Sequence, residues 1–128
     1  MITVHSTQEE SGAWTWVGDW TTRGMDDAFG PAIRTADDGT AKGELTVRGR
    51  QVALVAPRGP GLGIAEVRLD GVTMAIVDLY APAADPRTIV WQSSLAEGDH
   101  TLAVVVTGDA NAAASGTRIA IDAVLELR

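Results

Sequence analysis

Apolar and polar residues alternate at period two along most of the chain, in short runs cut by glycine, aspartate and proline. Glu44-Leu45-Thr46-Val47-Arg48 sets Leu45 and Val47 on one side and polar side chains on the other, the pattern of a half-buried strand. Gly49-Arg50 separates this run from Gln51-Val52-Ala53-Leu54-Val55, and a two-residue link between alternating runs predicts a hairpin. A second hairpin is predicted from Glu66-Val67-Arg68-Leu69, the turn Asp70-Gly71 and the run Val72 to Val77. Asp-Gly is the stronger turn signal, because glycine supplies the positive φ such turns require.

Two longer strands close the chain. His100 to Thr107 points Leu102, Val104 and Val106 inward, with Val105 suggesting a second covered face, and Arg118 to Leu127 aligns Ile119, Ile121, Ala123, Leu125 and Leu127. The segment Gly108 to Gly116 between them reads as a loop, too short for an independent helix despite its alanines. Thr22 to Ile33 contains Gly24, Gly30 and Pro31 and is also read as loop, while Ile2 to His5 is read as the first strand. Eight to ten strands at roughly ten-residue spacing predict an all-β, two-sheet antiparallel β-sandwich. The expected organisation is one domain over residues 1–128, with 1–11 as an N-terminal arm.

Composition narrows the function. With 128 residues, 45% hydrophobic and 21% charged, the chain can bury a core without a metal or disulfide staple. It has no cysteine, which excludes disulfide scaffolds, thiol catalysis and cysteine-zinc sites. Ten basic against seventeen acidic side chains give net −7, so phosphate backbones are repelled and no nucleic-acid partner is expected. No apolar run approaches the roughly 20 residues that span a bilayer, so no membrane insertion is expected. Met1-Ile2-Thr3-Val4-His5 lacks the basic and long apolar regions of a signal peptide. The chain therefore reads either as a piece of a larger exported protein or as a complete small protein handled another way.

From residue 43 onward a set of motifs stands in a definite order. Arg58-Gly59-Pro60-Gly61 and Gly63-Ile64-Ala65-Glu66-Val67-Arg68-Leu69-Asp70-Gly71 precede Val77-Asp78-Leu79-Tyr80. Leu95-Ala96-Glu97-Gly98-Asp99-His100-Thr101-Leu102, Thr107-Gly108 and Ile121-Asp122-Ala123 follow. The order resembles that of galactose-binding-like jelly-roll modules, over residues 43 to 127. Such modules accompany bacterial secreted glycosidases, esterases and surface proteins, and many are classed as carbohydrate-binding modules. The resemblance implies a β-sandwich, an extracellular or surface location, and a ligand site built by aromatic residues on the loops at one end. It also raises structural calcium, held by acidic residues near the first and last strands. Glu9, Glu10 and Asp122 are the candidates, but Ile2 to His5 holds no acidic pair, so no cofactor or metal is assigned.

Sugar recognition needs flat aromatic faces for pyranose C–H patches and planar polar groups for hydroxyls. Four tryptophans stand against one Phe and one Tyr, and Trp14, Trp16 and Trp20 fall within nine residues. On an extended strand they would share a face unless Gly18-Asp19 reverses it. That face also reads as core, since indoles bury large area, but three on one short segment crowd a small sandwich. Trp14 and Trp20 are therefore candidate ligand-binding residues. Trp91, in step with Ile89, reads as core, and Tyr80, ahead of Ala81-Pro82, reads as a structural cap with a site role. Asp26 and Asp27 lie beside the tryptophan cluster as candidate hydroxyl acceptors, against the simpler reading of a solvated turn.

Other chemistries find little support. Gly59-Pro60-Gly61-Leu62-Gly63 is followed by a strand pattern and not a helix, so no helix N-terminus faces a phosphate. Ser94, Asp99 and His100 are near one another, but no G-x-S-x-G elbow is present. The expectation is a non-catalytic module whose partner is a glycan. The alternative is a structural or adhesion module docking onto a protein partner in a phage virion or cell surface.

Overall fold

The structure, a computed structural model, describes residues 4–8, 14–18, 20–24, 32–36 and 41–127. Every regular element among them is a strand: β1 (Val4–Gln8), β2 (Thr15–Val17), β3 (Thr21–Gly24), β4 (Ala32–Ala36), β5 (Lys42–Val47), β6 (Gln51–Arg58), β7 (Ile64–Leu69), β8 (Val72–Asp78), β9 (Asp85–Ser94), β10 (His100–Val106), β11 (Ile119–Ile121) and β12 (Ala123–Leu127). One sheet runs β1-β12-β6-β9, a second β2-β5-β10-β7-β8, and a third β11-β4-β3. The first and third meet in the closing segment, where only Asp122 separates β11 from β12 and its N–H donates to the Val55 carbonyl at 3.1 Å.

Period-two alternation decides which side chains enter the core. Leu45 and Val47 of β5, Ala65 and Val67 of β7 and Leu102, Val104 and Val106 of β10 are buried from one sheet. Val52, Leu54 and Ala56 of β6, Ile119 and Ile121 of β11 and Val124 of β12 meet them from the other side, in one cluster. Each buried Val, Leu or Ile contributes roughly 1.5–3 kcal/mol relative to exposure. The all-β sandwich expected from the pattern is the fold observed, with all nine strand pairings among the described residues antiparallel.

The Asp70-Gly71 hairpin is present: both residues have positive φ (52° and 81°), and β7 pairs β8 from Leu69↔Val72 to Ile64↔Asp78. The hairpin expected across Gly49-Arg50 is not. β5 pairs with β2 and β10, whereas β6 pairs with β12 and β9, so the chain crosses from one sheet to the other. The backbone groups that would close a hairpin go elsewhere: Arg50 N–H to Leu127 O, Leu95 N–H to Arg50 O, and Arg48 N–H to the Glu126 carboxylate. Alternation marks a half-buried strand but does not say whether the next one lies beside it or across the core. The reading of Thr22 to Ile33 as loop is likewise corrected at its ends. β3 and β4 pair from Thr21↔Thr35 to Gly24↔Ala32, and β4 pairs again with β11. Partners some eighty residues away on β11 supply order that local glycines and proline obscure.

Candidate functional site

The three clustered tryptophans do pack together. Trp14 and Trp16 stack with ring centroids 4.9 Å apart and planes 15° from parallel, and Trp16 meets Trp20 at 4.7 Å and 54°. Such centroid distances are those of favourable aromatic pairs. Trp14, 6% exposed, belongs to the core, while Trp16 and Trp20 are both partly buried and pack against it. Trp14 is thus the inner member of the stack, Trp16 lies in the middle, and Trp20 is the outer member of the series. The Trp20 indole N–H donates to the Val17 carbonyl at 2.9 Å, which fixes the ring and satisfies its polar edge. Trp16 was seen from sequence as one of the cluster, but its part as the middle layer depends on Gly43 beneath it.

Tyr80 sits elsewhere. It follows β8, at the other edge of the five-stranded sheet from β2 and its tryptophans. Four interstrand spacings of about 4.8 Å separate those edge strands, so Trp20 and Tyr80 do not form one small pocket. Tyr80 belongs to three loops laced together. Gly59 and Tyr80 form a bridge, Gly63 N–H donates to Arg118 O, Leu79 N–H to Gly63 O, and Ser115 N–H to Pro60 O. Asp78 completes the lacing by accepting from Tyr80 N–H and from the Asn111 amide, each at 2.9 Å. The half-exposed Tyr80 is both cap and accessible ring. Asp78 and Asn111 escaped the sequence reading because their partners are local in space and not in sequence.

Asp26 and Asp27 lie outside the described residues, as do Glu9 and Glu10. Asp122 is fully buried between β11 and β12. Among the described residues no group of three or more His, Asp or Glu side chains gathers to hold a metal ion. Trp91 is half-buried and packs against the core, as expected.

His100 is committed to structure. Its Nδ1–H donates to Asp70 Oδ2 at 2.5 Å and its Nε2–H to the Ala96 carbonyl at 2.8 Å, while Asp70 Oδ1 accepts from Thr101 N–H. Both partners are acceptors, so they favour the doubly protonated ring, and with both nitrogens engaged neither is turned toward Ser94 as a base. The Asp70 hydrogen bond is the main cause raising the His100 pKa above 6.5, with the Ala96 carbonyl and the Asp99 charge acting in the same direction. Asp70 is held below its ordinary 3.8, chiefly by His100 and then by Thr101 N–H. The signs give a window. The His100 share of stability is complete below about pH 6.5 and is lost as pH rises through its raised value. The Asp70 share is complete above about pH 4 and is lost as pH falls through its lowered value. The thermal midpoint of the protein minus that of His100→Gln should therefore peak between about pH 4 and 6.5. A difference independent of pH would refute the clasp.

No family model matches the chain. Over 92 residues, 71% of its length, it is 36% identical to the "A type blood alpha-D-galactosamine galactosaminidase" of Flavonifractor plautii, of which it spans 8%. Among solved structures it is similar to a two-domain esterase active on acetylated mannans, with TM-score 0.71 and 14% identity, over 98% of this chain and 36% of that one. It is similar also to a family 36 carbohydrate-binding module of a multidomain xylanase from the hindgut metagenome of Trinervitermes trinervoides. There the TM-score is 0.56 at 15% identity, over 96% of this chain and 95% of the module. A further family 36 module, solved with calcium and xylotriose, matches with TM-score 0.54 and 13% identity, over 97% and 99% of the two chains. Backbone likeness at such low identity speaks to architecture, and together with the motif order it shows that this chain has the galactose-binding-like jelly-roll fold of carbohydrate-binding modules.

Proposed function

We propose that this chain is a non-catalytic glycan-binding module acting at or outside the cell surface. The observation that carries the reading is the Trp14-Trp16-Trp20 series, which presents a partly exposed indole backed by Trp16, itself stacked on Trp14, and fixed by its own N–H bond. A preformed aromatic face loses little freedom when a sugar ring settles on it. Trp20 is the stacking residue, Trp14 its buried support, and Asp26 and Asp27, in the segment after β3, are the hydroxyl acceptors. Tyr80 offers a separate contact at the laced loops. The fold shared with modules of glycan-active enzymes supports this class of ligand, and the partial match to a galactosaminidase fits a module appended to such an enzyme.

A shallow site of this kind binds weakly alone and gains from repetition. The test is a glycan array probed with the multimerised domain, with and without EDTA, beside Trp20→Ala. Selective binding that Trp20→Ala weakens about tenfold or more is expected, the range in which aromatic anchors fall. Loss of binding in EDTA would add calcium to the site. A blank array from folded protein would overturn the reading.

Docking onto a protein partner draws on a different feature. The edge strand β8 exposes Val72 (61%), Met74 (46%) and Ile76 (62%), and apolar rows on free strand edges are where other chains add.

A further inference from the structure

The outer face of the four-stranded sheet carries a trough that the tryptophans do not touch. Cross-strand partners share a face. On β6, Ala53 pairs with Leu125 of β12 and with Gln92 of β9, while Gln51 pairs with Leu127 and with Ser94. One register step along, Val55 pairs with Ile89, which is 51% exposed although apolar. These positions enclose a depression of about 180 Å³ whose floor is Ala53, Ile89, Leu125 and Leu127 and whose polar groups are Gln51 and Gln92. The same two glutamines line an adjoining hollow of about 250 Å³ with Ser93 and Ser94.

The chemistry of this lining is specific. Among the described residues no charged side chain borders either hollow, although the chain carries net −7. Each glutamine amide offers donors and an acceptor in one plane, which matches hydroxyl groups that also donate and accept. An aliphatic floor beside them matches the C–H faces of sugar rings, and an acidic ligand would meet the field of an acidic protein. Three strands give a width of about 10 Å between the outer rows. We propose that this trough is a second ligand surface, one that takes an uncharged polysaccharide chain, so that the module contacts glycan at two separate places. The proposal rests on the glycan-binding reading, and its occupant is distinguished from a protein partner by charge neutrality and the paired amides.

The sequence makes the test direct, because Gln8, Gln51, Gln92 and Asn111 are its only side-chain amides. The uniformly ¹⁵N-labelled domain is titrated with xylohexaose and with mannohexaose while amide and indole N–H signals are followed. The Gln51 and Gln92 amides are expected to shift together and saturably, in the protein and in Trp20→Ala alike. Gln51→Ala combined with Gln92→Ala should weaken binding at the trough at least fivefold, read from backbone signals of Ala53 and Leu125, with the fold checked by the unchanged remainder of the spectrum. Shifts of the Trp20 indole with silent Gln51 and Gln92 amides would overturn the trough and leave the first reading standing. Silence of both regions toward both oligosaccharides would overturn both. Glutamine shifts that the double substitution leaves at full affinity would also overturn the proposal.

Discussion

Gly63→Ala is expected to loosen the laced loop end and to destabilise the protein by about 1–3 kcal/mol, the usual cost of overpacking a filled site. A β-carbon on Gly63 would lie 2.5 Å from the Thr117 carbonyl oxygen, 2.6 Å from its carbon and 2.7 Å from the Thr117 Cα. These are backbone atoms, so no rotamer change relieves the contact. The same residue donates to Arg118 O at 2.6 Å and accepts from Leu79 N–H at 3.0 Å. Moving its backbone therefore strains the segments after β6, after β8 and before β11 together. Urea unfolding gives the stability change, and amide hydrogen exchange at Gly63, Leu79, Ala81 and Ser115 shows where it falls. Gly59→Ala is the matched control. Its new atom would find neighbours only at 3.9 and 4.0 Å, and a change within about 0.5 kcal/mol is expected. Equal effects at the two glycines would show that the Thr117 contact is not what Gly63 serves.

The laced end also shows what a sequence can convey and where it stops. Strand existence was legible because Leu45, Val47, Leu102, Val104 and the rest repeat with the period of the pleat. The Asp70-Gly71 turn was legible because it is local: two positive φ angles and two residues settle it. The link at Gly49-Arg50 looked alike in sequence but is a crossing between sheets, and its sense depends on Leu127, Leu95 and Glu126, far along the chain. β3 and β4 were obscured for the same reason, since their order comes from pairing with one another and with β11. At the candidate site, residue type pointed to the tryptophans, yet type alone does not rank them by burial. Position in the chain favoured Trp20, at the start of a loop, over Trp14, and in the fold Trp14 joins the core cluster while Trp20 packs against it from outside. Gln51 and Gln92 carried no signal at all. Each is a polar position in an alternating strand, and only the β6–β9 register brings both to one trough.

The tryptophan stack has a weak point that is not a tryptophan. Trp16 pairs with Gly43 across β2 and β5 and lays its six-membered ring over the place where a side chain would stand. A β-carbon on Gly43 would come within 2.5 Å of Trp16 Cζ3, 2.9 Å of Cε3 and 3.3 Å of Cη2. An isolated indole could swing away from a methyl group at little cost. This one is held between Trp14 at 4.9 Å and Trp20 at 4.7 Å, so displacing it also displaces the ring that faces solvent. Gly43→Ala is accordingly expected to destabilise the protein by about 1–3 kcal/mol and to change the near-ultraviolet circular dichroism of the coupled indoles. It should also weaken glycan binding about as much as Trp20→Ala, although residue 43 is itself buried beneath Trp16. Circular dichroism, urea unfolding and affinity electrophoresis on one preparation separate the steps. A changed indole spectrum with full affinity would show that Trp20 does not need its support to bind. An unchanged spectrum would mean that Trp16 does not lie over Gly43 in solution.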